Sequence, residues 1–230
     1  MDAPPPEPDA TPPPGSGATP PPGSGAPPPP PSFPEGWAGP AMAIQAVRQI
    51  PRPILVSLVP SGLPPIVIDL RYLTYDWDAP IAAFPANPGP VQVGTHYLDE
   101  DPRELSQRAT GVDPLLWLIG LNAFAGARAS WLRAGDRFKL KWWPDLDVMP
   151  HTPEQARVVK TLAGGLMTVE KLAQKAKADA GVAHDVVNAL SLMAALRRVD
   201  GPGAAPSLPP MSADFQPVVK IGRHSTRRGG

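Results

Sequence analysis

The stretch Gly181-Val-Ala-His-Asp-Val-Val-Asn-Ala-Leu-Ser-Leu-Met-Ala-Ala-Leu-Arg-Arg198 decides how the second half of this chain folds. Val186, Val187, Leu190, Met193 and Leu196 recur at three- and four-residue steps, which is the spacing of one buried helix face. Gly181 reads as the turn that precedes this helix. Upstream, Thr168 can cap a helix whose core positions are Val169, Leu172 and Ala176. Further upstream, Thr152-Pro-Glu-Gln155 spells a capping box with Pro in the first helical position. Val158, Val159 and Leu162 supply that helix's apolar stripe, and Gly164-Gly165 ends it. Residues 151–200 therefore read as a unit of three short helices.

The last two of these helices follow the helix-turn-helix pattern in part. Gly181, Val187 and Leu190 stand at the right offsets, but Lys177 stands where a small residue belongs and Ala176 is one place off. The unit resembles a winged helix in architecture. The hairpin expected after its third helix is replaced by Gly and Pro after Asp200. If the third helix read DNA, its exposed N-terminal side chains would include Ala183, His184, Asp185 and Asn188. Phosphates repel Asp185, and base readout prefers Arg, Lys, Asn or Gln. Arg197 and Arg198 fall at the far end of the same pattern, where they suit the helix dipole. With seven basic and five acidic residues, 151–200 carries a net charge of only +2. The sequence thus favours a helical module that packs on a neighbour or a partner. A winged-helix DNA-binding regulator using His184, Asn188, Arg197 and Arg198 is the alternative.

Residues 44–150 read as an α/β or α+β domain. A short helix is expected at 41–49, buried strands at 53–59 and 65–70, and an alternating strand at 91–97. Asp101-Pro-Arg-Glu104 and Asp113-Pro114 each open a helix. The second of these, at 115–132, is apolar on nearly every face until Arg128 and belongs in the middle of a fold. Phe138, Leu140 and Trp142 alternate with Lys139 and Lys141 in a half-buried strand expected at 137–143.

Most of the chain's 36 prolines lie outside these elements. The leader 1–43 repeats Ala-Thr-Pro-Pro-Pro-Gly-Ser-Gly at 10–17 and 18–25, and Asp2, Glu7, Asp9 and Glu35 give it a charge of −4. It has too little apolar surface to offset its chain entropy, so disorder with polyproline II character is expected. It lacks the flanking Arg or Lys of a polyproline-domain ligand, and a spacer is the simpler reading. Residues 201–230 read as a linker and a basic tail, with one apolar patch at 215–221.

The composition excludes some chemistry. The chain has no Cys, hence no disulfide, thiolate metal site or Cys nucleophile. No basic segment followed by an apolar run marks a signal peptide, and 114–127 is too short to span a bilayer. A cytoplasmic protein with no membrane span is expected. The acidic groups Asp76-Trp-Asp78, Asp99-Glu-Asp101 and Asp145-Leu-Asp147, with His96 and His151, contain the residue types of a metal-assisted hydrolase. Each sits in an expected loop or beside a helix start, where caps and solvation explain it. Ser57 and Ser61 lack a nucleophile elbow, and Gly62, Gly94, Gly111 and Gly120 make no phosphate loop. No catalytic residue, metal ligand or cofactor motif emerges. Trp142-Trp143 is the candidate protein-interaction anchor.

The run Phe138-Lys-Leu-Lys-Trp-Trp-Pro144, then Pro150-His-Thr-Pro-Glu-Gln155 and Val187-Asn-Ala-Leu-Ser-Leu-Met193, is similar to uncharacterised Gram-negative bacterial proteins. These accompany small GTPases, roadblock-type proteins and type IV pilus signalling. The resemblance covers 110–198. It implies a non-enzymatic regulatory or adaptor role, with a small GTPase or a pilus-signalling component as partner. It carries over no site residue.

Overall fold

The computed structural model describes residues 36–98 and 109–200. Ile54, Val56 and Leu58 alternate into the core from strand β1 (Ile54–Pro60), while Leu55, Ser57 and Val59 face the other way. β2 (Ile66–Asp69), β3 (Thr74–Trp77), β4 (Val91–Tyr97) and β5 (Thr110–Gly111) complete an antiparallel sheet of order β4-β1-β2-β3-β5. Its inner face presents Ile66, Ile68, Tyr75 and Val91 beside the β1 residues.

Helix α1 (Ala38–Val47) packs on β1 and β4. It begins and ends a few residues before the span expected from the sequence. Trp37, at its start, is fully buried, donates its indole N–H to the Pro85 carbonyl at 2.7 Å and stacks on Phe84 with centroids 4.4 Å apart. Helix α2 (Asp113–Asn122) is buried through Leu115, Leu116, Trp117, Ile119, Gly120 and Leu121. Asp113 is its first helical residue, after Val112 at the N-cap, and no side chain caps it.

β6 (Arg137–Leu140) leads to α3 (Pro153–Ala163), α4 (Val169–Ala176), α5 (Ala180–Leu192) and β7 (Leu196–Val199). The capping box at Thr152 forms: Gln155 N–H donates to the Thr152 hydroxyl at 3.2 Å, and Thr152 N–H donates to the Gln155 side chain at 2.8 Å. Thr168 caps α4. One buried cluster runs from Trp37 and β1 through α2 to Ala195, across residue 150. The fold is α+β, with an antiparallel sheet.

Several expectations need correction. The apolar helix expected at 115–132 stops at Asn122, and Ala125 (φ 47°) and Gly126 (φ 80°) turn the chain. The strand expected at 137–143 stops at Leu140. The third helix stops at Leu192, and Leu196, Arg197 and Arg198 belong to β7. The turn before α5 is made by Lys177 (φ 51°), while Gly181 lies inside the helix. The Gly- and Pro-rich stretch expected to replace a hairpin after Asp200 lies outside the described residues. β7 pairs antiparallel with β6, and Met167 adds a bridge to Phe138. The disordered leader expected over 1–43 ends earlier, because Trp37, Ala41 and Ala43 are buried and α1 starts at Ala38. Residues 1–35, Asp99-Glu-Asp101, the helix expected from Asp101 and the tail from 201 lie outside the described residues.

Gly120 sets the spacing of the two central helices. A Cβ built there would lie 2.3 Å from Ala189 Cα and 2.8 Å from Ala189 N, both backbone atoms of α5. Nothing at that contact can rotate away. Gly120→Ala is expected to destabilise the protein by about 1–3 kcal/mol through overpacking. The expected reading is a lower urea midpoint with an unchanged slope. An unchanged midpoint would show that α2 and α5 do not meet at this distance.

Candidate functional site

The residues that the sequence offered for DNA contact do not share one exposed surface. Asn188 is fully buried. Its side-chain oxygen accepts from Ala129 N–H at 3.0 Å, and its amide donates to the Ala127 carbonyl at 2.8 Å. It cannot reach a base, which corrects its place among the candidate contacts. Ala183 is buried as well. Asp185, one turn before Asn188, accepts from Gly126 N–H at 2.9 Å. His184 is half-buried. The N-terminal half of α5 therefore holds the segment that follows α2.

Arg198 pairs with the buried Asp136 at 3.7 Å and with Asp200 at 3.4 Å, and donates to the Trp131 carbonyl at 3.1 Å. Arg197 is exposed on the opposite face of the β6–β7 ribbon, directly across from Lys139. Arg137 lies on that face too, two residues before Lys139.

Asp76 and His96 lie on β3 and β4, with β1 and β2 between them. Three strand spacings separate them by roughly 14 Å, too far for one ion. Among the described residues, no three His, Asp or Glu side chains come together as a metal-binding group. Asp145 caps its own loop by accepting from Asp147 N–H at 3.1 Å.

Trp142 and Trp143 divide as a strand-end pair does. Trp142 packs against the core, while Trp143 is 55% exposed and Val148 is 56% exposed. Both ends of the intervening segment are tied down. Lys141 N–H donates to the Ala195 carbonyl at 2.8 Å, and Trp117 donates its indole N–H to the Pro150 carbonyl at 2.8 Å. Pro144 and Met149 are buried.

No family model, curated protein or solved structure matches the chain. Sequence reasoning passed over one group, Arg157, Lys160, Lys175 and Lys177, which line an open groove between α3 and α4. The three-residue step from Arg157 to Lys160 was the only local signal, and it does not reveal that α4 brings two more cations alongside.

Burial pushes Asp185 up to about 6 from an ordinary 3.8, against the opposing pull of Gly126 N–H and His184. The folded protein thus holds this proton more tightly than the unfolded chain does. Its stabilising effect is complete below about pH 4 and is lost as pH rises through about 6. Asp185→Asn keeps the acceptor for Gly126 but cannot titrate. The stability of the wild type relative to this variant is expected to fall between those two pH values and to stay level above them, measured as urea midpoints. A level difference throughout would contradict the burial of this carboxyl.

Asn188→Ala tests the other tie. It leaves the Ala129 N–H and the Ala127 carbonyl without their partner, at a cost of about 1–3 kcal/mol for the buried groups. Amide exchange at Ala129 is expected to accelerate with the lower urea midpoint. Unchanged exchange would show that the segment is held by something else.

Proposed function

We propose that this chain is a non-enzymatic, cytoplasmic regulatory adaptor that binds another protein through the surface around Trp143. The observation that carries this reading is Trp143 itself. A large aromatic side chain stands 55% exposed on a segment tied at both ends. Exposed aromatic anchors on a prepared surface carry binding energy at low ordering cost. Val148 adds apolar area from the same segment. The resemblance over 110–198 makes a small GTPase or a pilus-signalling component the partner to try first.

The order α3, Met167 bridge, α4, α5, β7, with β6 beside β7, is what supports reading this unit as winged-helix-like. This supports an architecture used for packing, because α5 holds the 123–132 segment where a reading helix would need a free face. Among the described residues, the metal-hydrolase alternative has no assembled ligand set to support it.

A DNA-binding reading has one observation in its favour. Arg137, Lys139 and Arg197 share the outer face of the β6–β7 ribbon. Like charges directly opposite on a ribbon are unfavourable, and a phosphate backbone would relieve them. Such binding would be nonspecific and strongly salt-dependent.

The test uses candidate partners of these two classes, with the full chain on a biosensor. Trp143→Ser is expected to weaken the true partner by roughly thirtyfold, the cost of a hot-spot residue of about 2 kcal/mol. Labelled duplex DNA is expected to show no anisotropy change at about 50 mM salt. A partner bound equally by wild type and Trp143→Ser would overturn the Trp143 assignment. DNA bound at low salt and released by Lys139→Gln with Arg197→Gln would favour the ribbon.

A further inference from the structure

Arg157 and Lys160 on α3, and Lys175 and Lys177 at the end of α4, line one open groove of about 470 Å³, completed by Thr161 and Ala176. No carboxylate lines it. Among the described residues, none of the four cations is ion-paired with an acid. The nearest acidic neighbours in the chain, Glu154 and Asp179, engage each other's element instead: Asp179 N–H donates to the Glu154 carboxylate at 2.8 Å.

The helix dipoles favour positive charge at the ends of α3 and α4. Lys160 and Lys175 sit in the last turns of α3 and α4, where positive charge is favoured. The carbonyl end of α4 also favours the other two, Arg157 and Lys177, but it does not require that all four meet in one concavity. Arg157 lies a turn earlier, and its Nε–H donates to the Ala176 carbonyl at 3.5 Å, which holds the guanidinium against the end of α4. Lys177 is the C-cap of α4 at φ 51°, a left-handed position where Gly or Asn is the ordinary choice. A Lys there carries backbone strain and adds a fourth like charge to one concavity. Both features cost stability, and an anion in the groove offsets the second.

We propose that this groove binds a compact, multiply charged phosphoryl ligand. The lining holds no aromatic ring, so a nucleobase has nothing to stack on and recognition is of the phosphates. Four cations around one concavity suit a short oligophosphate. A duplex backbone instead needs cations in a line along it. Lys supplies point charge and Arg a planar fork, which together match several phosphate oxygens at once. This site is separate from the Trp143 surface and does not rest on the adaptor reading.

The probe is inorganic tripolyphosphate, titrated calorimetrically into the full chain at about 50 mM salt and again at about 200 mM salt. Lys160→Gln with Lys175→Gln is expected to weaken binding by roughly tenfold or more, since it removes two charge-assisted contacts. Lys139→Gln with Arg197→Gln, on the ribbon, is expected to leave it unchanged. Lys177→Gly separates function from fold: it relieves the left-handed strain, so the urea midpoint holds or rises while affinity falls. The proposal is overturned if the wild type gives no binding at the lower salt. It is also overturned if the ribbon variant loses as much as the groove variant, or if Lys177→Gly leaves affinity unchanged. Duplex DNA that binds through the groove when tripolyphosphate does not would replace the compact ligand with a polymer.

Discussion

The amide of Asn188 is the interaction on which the arrangement of the helices depends. A polar side chain with no exposure must find partners, because leaving its groups unpaired would cost more than the hydrogen bonds return. Its partners are the Ala127 carbonyl and the Ala129 N–H, backbone groups about sixty residues earlier in the chain. Asp185 does the same for Gly126 one turn before. These three bonds replace the ones that a continued α2 would have made for itself. The chain can therefore leave the helix at Asn122, turn through Ala125 and Gly126, and set the Phe124 and Trp131 rings edge to face at 5.4 Å. Ending α2 there also leaves it short enough to lie along α5 at the distance that Gly120 permits.

That placement decides what α5 can do. In a reading module the corresponding helix presents its first turns to a ligand. Here those turns face the chain's own 123–132 segment, and its middle, from Val186 to Leu190, is buried. α5 is a strut between the sheet-bearing half and α3 and α4. Surfaces free to meet a partner lie at the periphery: the segment carrying Trp143, the outer face of the β6–β7 ribbon, and the groove between α3 and α4.

How much of this was legible in the sequence follows from the range of the interactions. The Thr152 capping box and the alternation of Phe138 with Lys139 are local, and both formed as their spacing indicates. β1, β2 and β4 were legible because β-branched runs between turn residues have few alternatives. The end of α2 was not legible, since nothing within 115–132 indicates that Asn188 supplies its hydrogen bonds. β7 was hidden for the same reason. Leu196-Arg-Arg-Val199 continues a helical spacing, and only pairing with β6, about sixty residues before it, turns it into a strand. At the candidate site, the Trp142-Trp143 pair left open which ring faces out. The cations at 157, 160, 175 and 177 meet only through the packing of α3 on α4.

Charge shows the same limit in a sharper form. The chain is neutral overall, and 151–200 carries only +2, values that describe the far field and little else. Near the surface, the field depends on which side chains share a face. Strand alternation sends Arg137 and Lys139 to one side of β6 and Phe138 to the other, and register sets Arg197 opposite Lys139. Arg198, its neighbour, is turned inward to neutralise buried Asp136. Glu154 accepts from the Asp179 backbone N–H, and neither acid lines the groove. A balanced sequence thereby yields two basic surfaces whose cations pair with no acid among the described residues. On the ribbon the like charges of Arg197 and Lys139 stand directly opposite each other, which is unfavourable, while at the groove the carbonyl ends of α3 and α4 offset part of the repulsion.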